Sequence, residues 1–148
     1  MAHWSKGMGP NFVPAYQISG IPFVTSSLPT EVTDTAIKIT FPQASRFFVV
    51  HNVSDAPMRI GFSLNGVNAT ETKNYLILSG NQTTGRLELR CKELFFRRDG
   101  GSNCGFSLLA GMSGVPNNQF PTLTGSLIFS GSDDKPLPQG MPRFQGVG

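Results

Sequence analysis

No stretch of 11 residues in this chain carries an apolar stripe at i, i+3, i+4 and i+7 that is free of glycine and proline. An amphipathic helix needs such a stripe to bury one side. Instead, 17 glycines and 11 prolines punctuate the 148 residues, and short runs rich in Phe, Ile, Leu and Val lie between them. Short apolar runs bounded by turn residues are strands, and many of them in one chain mean an all-β sandwich or barrel.

Eight runs stand out. TAIKITF (35–41) alternates, with Ile37, Ile39 and Phe41 on one face. RFFVVHNV (46–53) follows, then MRIGFSL (58–64), which ends at Asn65-Gly66, a tight-turn signal. NYLILS (74–79), GRLELR (85–90) with Leu87 and Leu89 inward, and ELFFRR (93–98) come next. GFSLLAG (105–111) and TGSLIFS (124–130) complete the set. Eight antiparallel strands with short connections suit a single jelly roll over residues 15–130. AYQISGIPFVTSS (15–27) adds a ninth strand or a bent edge, and Pro22 keeps it off a central position. Residues 1–14 and 131–148 are rich in Gly and Pro, cannot build a core alone, and are expected to be arms across neighbouring subunits.

An isolated sandwich has one dry and one wet face per sheet, so its strands should alternate. Phe47-Phe48-Val49-Val50, Tyr75-Leu76-Ile77-Leu78 and Leu94-Phe95-Phe96 are apolar on both faces. With Leu94 and Phe96 inward, Phe95 points out beside Arg97. Each exposed Phe forfeits roughly 1.5–3 kcal/mol of burial, so several together mark a contact. Either the sheets bend and loops cover these faces, or other copies do, or a ligand groove uses them. The candidate subunit-interface residues are Phe48, Val50, Phe95, Arg97 and Arg98, the arginines standing at a strand end where they suit salt bridges to a neighbour.

Chemistry is hard to place on this chain. His3 and His51 are its only histidines, and a metal site of the cupin kind needs a cluster of them with a carboxylate. Cys91 and Cys104 lack CxxC spacing and read as reduced, small apolar strand residues. GMSG (111–114) is one residue short of a nucleophile elbow, and Asp133-Asp134 lies in the tail. Neither a catalytic, cofactor nor metal site is expected. The net charge of +3 comes from scattered Lys and Arg, with only Arg97-Arg98 adjacent, so direct nucleic-acid binding is not expected. Charged residues make up only 14%, against about 25% in a usual soluble domain, and a sparsely charged surface suits cover by partners. No apolar window is long enough to span a membrane. The opening MAHWSKGMGPNFVP holds one lysine and no signal-peptide-like run, so synthesis in the cytoplasm is expected. The sequons at Asn52, Asn68 and Asn81 then read as chance matches.

The run LELRCKELFFRRDGGSNCGFSLLAGMSGVP (87–116), with PAYQISGIPFVTSS and FPQASRFFVVHN before it, resembles the penton proteins of large icosahedral double-stranded DNA viruses, most closely those of the chlorella virus kind. The likeness covers roughly residues 14–130 and carries no catalytic motif. It implies a structural capsid protein in the virion, closing a homopentamer at each fivefold vertex with its strands roughly radial. Major and minor capsid proteins would surround the ring. A carbohydrate- or receptor-binding β-sandwich is the alternative, with Trp4, Tyr16 and Tyr75 as its only large stacking side chains besides Phe.

Overall fold

The computed structural model describes residues 20–69, 73–121, 123, 129–130 and 135–136. The fold is mostly β with antiparallel sheets. Strand β1 is Ile21–Ser26, β2 Ile37–Thr40, β3 Gln43–Asn52 and β4 Met58–Gly61. A short helix α1, Leu64–Asn68, precedes β5 (Leu76–Leu78), β6 (Glu93–Arg98) and β7 (Phe106–Pro116). Phe129–Ser130 (β8) pairs with Lys135–Pro136 (β9).

The first sheet has the order β1-β7-β3 and the second β2-β6-β4-β5. Every pairing between these strands is antiparallel. Residues 83–87 run beside β3 without becoming a regular strand. They bridge it at His51 with Thr83 and Phe48 with Leu87. Leu87 N–H donates to Phe48 O at 2.9 Å, and Thr84 N–H to Val50 O at 2.9 Å. Gly85 interrupts this ladder with φ 71°, a left-handed conformation that glycine adopts without steric cost. The expected strand over 85–90 is corrected accordingly: Leu87 packs on the core, whereas Leu89 is exposed.

Inward residues of the two sheets form one core. Phe96 of β6 stacks on Phe106 of β7 with ring centroids 4.1 Å apart, and Phe23 meets Phe41 edge-on at 5.2 Å. Leu94, Leu108, Val50, Phe48 and Met58 are fully buried among them. β6 occupies the expected residues 93–98. β1 is a full edge strand, and Pro22 sits on it where no further ladder partner is needed.

One local expectation is corrected. Asn65-Gly66 is not a tight turn but the first turn of α1, capped by Ser63, whose Oγ accepts Gly66 N–H at 2.9 Å. The GMSG run lies inside the long strand β7, where buried Ser113 donates to Ala44 O at 2.7 Å. Of the expected strand 124–130, only Phe129–Ser130 falls within the described residues, and the arms 1–14 and 131–148 lie outside them apart from Lys135–Pro136.

Candidate functional site

Strand β6 decides what its two faces touch. Ile37 and Ile60 flank Phe96 in register, and Ile39 flanks Leu94, so alternate β6 residues fill the sandwich. Phe95 points the other way, between Lys38 and Gly61. It is nevertheless only 6% exposed. Helix α1 packs on β4 and β6, and its Val67 is fully buried over Gly61. Gly61 makes this approach possible, because a Cβ there would stand 2.4 Å from Val67 Cγ1.

Two arginines hold α1 down. Arg59 and Arg97 are direct cross-strand partners, an unfavourable juxtaposition unless each finds acceptors. Arg59 Nε donates to Asp99 Oδ1 at 2.7 Å and Nη1 to Val67 O at 3.1 Å. Arg97 Nε donates to Asp34 O at 2.7 Å and Nη1 to Asn68 O at 3.4 Å. Both therefore reach carbonyls at the C-terminal end of α1, where cations are favoured. Arg98 Nη1 donates to Gly101 O and Asn103 Oδ1, each at 3.0 Å, and Nη2 lies 3.7 Å from Asp34.

These contacts revise the candidate interface. Phe95 is covered by the chain's own helix rather than left open for a neighbour. Phe48 and Val50 belong to the core, because β3 turns those two residues inward and Phe47 and Val49 outward. Arg97 and Arg98 are engaged within the chain, so any contact they make with a neighbour is additional to bonds they already hold. The five residues do not form one exposed surface.

The outer face of the first sheet is different. Phe47 lies flat across β7 at Gly111, where a Cβ would stand 2.4 Å from its ring, and the Arg86 guanidinium covers the ring at 4.3 Å. Beside this stack, Val24, Leu109 and Val49 are in register across three strands. Val24 is 66% exposed. The next row is polar: Ser26 Oγ donates to Ser107 Oγ at 2.9 Å, and His51 Nδ1 lies 2.8 Å from Thr83 Oγ1. Sequence reading gave no weight to β1 as a contact surface, although IPFVTS is free of charge and apolar over its first four residues.

At one end of the sandwich, loops 53–57, 79–82 and 99–105 are tied together. Fully buried Asn52 is the knot: its Nδ2 donates to Ala56 O, Leu78 O and Ser79 O at 2.7, 3.2 and 3.2 Å. Its Oδ1 accepts Ser54 N–H at 3.0 Å and Ser54 Oγ–H at 2.8 Å. The Asn52 sequon is thus an internal structural amide, while Asn68 and Asn81 are exposed. A hollow of about 500 Å³ opens between loops 53–57 and 99–105, lined by Asp55, Gly101, Ser102 and Asn103 among others.

Cys91 and Cys104 are buried and unbridged. Burial pushes both thiols up to about 11, partly offset at Cys91 by the hydrogen bond with Ser45 and at Cys104 by the charge of Arg98. Contrary to the expectation of strand residues, both lie just outside the strands, Cys91 before β6 and Cys104 before β7 in an isolated bridge with Val32, and burial holds them as thiols rather than as the nucleophilic thiolate. Among the described residues no group of three His, Cys, Asp or Glu side chains is placed to hold a metal ion, and no helix is long and apolar enough to cross a membrane. His3, Trp4, Tyr16, Asp133 and Asp134 lie outside the described residues. Tyr75 holds the Arg59 guanidinium at 4.2 Å over its ring.

No family model, curated protein or solved structure matches this chain.

Proposed function

We propose that this chain is a single jelly-roll structural subunit of an icosahedral shell, the penton that closes each fivefold vertex as a homopentamer among major and minor capsid proteins. The observation that carries the reading is the pairing pattern. A jelly roll is a long antiparallel hairpin rolled around a core, so its strands pair first with last, second with last but one, and inward to the middle. Here β1 pairs with β7, β2 with β6, residues 83–87 with β3, and β4 with β5. On this reading residues 83–87 are the eighth strand, bent by Gly85. The extra contacts of β3 with β7 and of β4 with β6 are those made when such a hairpin rolls up.

A scaffold role also suits the distribution of side chains. The buried polar groups tie loops together, and half of the exposed large apolar side chains among the described residues, Ile21, Val24, Leu76 and Ile77, lie on edge strands. The role is structural and not enzymatic, in the virion after synthesis in the host cytoplasm. The test is native mass by light scattering with negative-stain images. A closed ring at five times the 16.0 kDa chain mass supports the vertex reading. A stable dimer or trimer with twofold or threefold images overturns it.

The hollow beside Asp55 and Asn103 favours a second reading, a β-sandwich that binds a carbohydrate or receptor through its loop end. A glycan array probed with the purified chain decides it. A null array, with the ring present, removes this alternative.

A further inference from the structure

The two loops that bound the hollow at the end of the sandwich are fastened to each other and from behind. Val53 N–H donates to Gly105 O and Asp99 N–H to Pro57 O, each at 3.0 Å, so two backbone rungs join loops 53–57 and 99–105. Asn52 holds the first loop at Ser54 and Ala56. Gly80 lies so close to it that a Cβ there would stand 2.2 Å from Asp55 O, and Asn81 N–H donates to Ser54 O at 2.8 Å. Arg98 Nη1 holds the second loop at Gly101 O and Asn103 Oδ1. Loops are commonly the mobile parts of a fold, and a loop that orders only on binding costs affinity. The hollow between these two is already formed, and at about 500 Å³ it falls within the size range of small-molecule sites.

Its polar side chains are held in complementary states by the partners they already have. Asp55 Oδ1 accepts Asn81 Nδ2 at 2.5 Å. That partner is a neutral amide, so the bond fixes the carboxylate without cancelling its charge, and an ionised carboxylate has about four acceptor sites. Asn103, on the opposite loop, gives its oxygen to Arg98, which leaves the amide N–H groups to donate. The Ser102 hydroxyl can do both, and Ala56 and Pro57 add apolar lining. An anion offers only acceptors and would meet the charge of Asp55. An ammonium group offers only donors and has no use for Asn103. Among the described residues no group of three His, Cys, Asp or Glu is placed to hold a metal ion here. A hydroxyl both donates and accepts, and adjacent hydroxyls on one ring match a carboxylate on one wall and an amide N–H on the other.

We infer that the hollow takes the end of a neutral glycan, one sugar donating hydroxyls to the Asp55 carboxylate and accepting from the Asn103 amide while its C–H face rests on Pro57. The inference rests on the reading of loop-end binding and adds to it the two residues that select the ligand and the class they select. Sialylated, sulfated and uronic sugars are refused, because their charge is of the same sign as Asp55. Among the described residues no aromatic ring lines the hollow, so one site binds weakly and many copies act by avidity.

The test displays the full chain in many copies on fluorescent beads and reads them on an array of neutral and anionic glycans. Asp55→Asn keeps the oxygen that Asn81 holds but loses the charge. Asn103→Asp keeps the oxygen that Arg98 holds but loses the donor. Both positions are exposed, so both variants should keep the wild-type near-ultraviolet spectrum. Where Asn103→Asp does not, Asn103→Ala replaces it. Glu88→Gln removes the same charge as Asp55→Asn at an exposed position outside the hollow. The wild type is expected to bind neutral glycans only. Asp55→Asn and Asn103→Asp should each lower that signal roughly tenfold or more, following the worth of a hydrogen bond to a charged group and the cost of a missing partner, and Glu88→Gln should leave it unchanged. A wild type that binds only anionic glycans, or neutral binding that survives both substitutions in the hollow, overturns the inference and leaves a carbohydrate-binding sandwich standing. A null array removes both.

Discussion

Val67 rests on Gly61 so closely that the position has no room for a methyl group, since an added Cβ would lie 2.4 Å from Val67 Cγ1. Val67 is fully buried and its branched side chain is stiff at χ1, so it cannot swing aside. Gly61→Ala should therefore lift α1 from the sheet and cost about 1–3 kcal/mol, the usual range for overpacking. It should also uncover Phe95. A lower thermal midpoint together with increased binding of a hydrophobic dye is the expected result. A variant with the wild-type midpoint and no added dye binding would mean that α1 does not seal this face.

Asn52 is the most heavily bonded buried side chain described, and four of its five bonds reach different backbone groups, the fifth coming from the Ser54 hydroxyl. Asn52→Asp keeps the shape but cannot donate to three carbonyls, and it sets a carboxylate against them. The loss should be about 3 kcal/mol or more at pH 7, following the cost of buried unsatisfied groups. It should shrink at pH 4, where the acid is neutral and can donate once. Urea midpoints at the two pH values check this, and a loss that does not depend on pH would contradict it.

How far these features were legible depends on the length over which each signal acts. The limits of β6 and the inward pair Leu94 and Phe96 followed from six residues bounded by a turn. In β3 both faces are apolar, and register shifts near Ser45 remove any simple count from the turn, so sequence alone could not choose Phe48 and Val50 over Phe47 and Val49 as the inward pair. The cover over Phe95 comes from a five-residue helix, too short to show a helical period. The strand over 85–90 failed at Gly85, whose φ of 71° takes it out of the extended conformation a strand needs.

Arg59 bridges the two ideas of sheet and cover, because it holds Asp99 as well as Val67 O. Its side chain is 15% exposed and that of Asp99 22%, which limits competition by water and salt. Arg59→Met should cost about 2 kcal/mol, the worth of a hydrogen bond to a charged group. Asp99→Asn should cost less, because Arg59 keeps its carbonyl on α1. Equal losses from the two substitutions, read from chemical denaturation at low and high salt, would place all of the effect in the ion pair and none in the hold on α1.

The cysteines predict the behaviour at alkaline pH. Burial raises both thiols from 9.0 to about 11 in the folded chain. The folded chain therefore keeps these protons where the unfolded chain has released them. Their contribution to stability is complete below about pH 9 and is lost as the pH rises through about 11. The wild type should lose stability over this window faster than a Cys91→Ala, Cys104→Ala double variant, in which the other alkaline groups are unchanged. At pH 8 the folded chain should also react with iodoacetamide far more slowly than the urea-unfolded chain, since the thiolate is the reacting form and access is closed. Parallel pH profiles for wild type and double variant, or equal alkylation rates folded and unfolded, would show that the two thiols are not shielded as the structure has them.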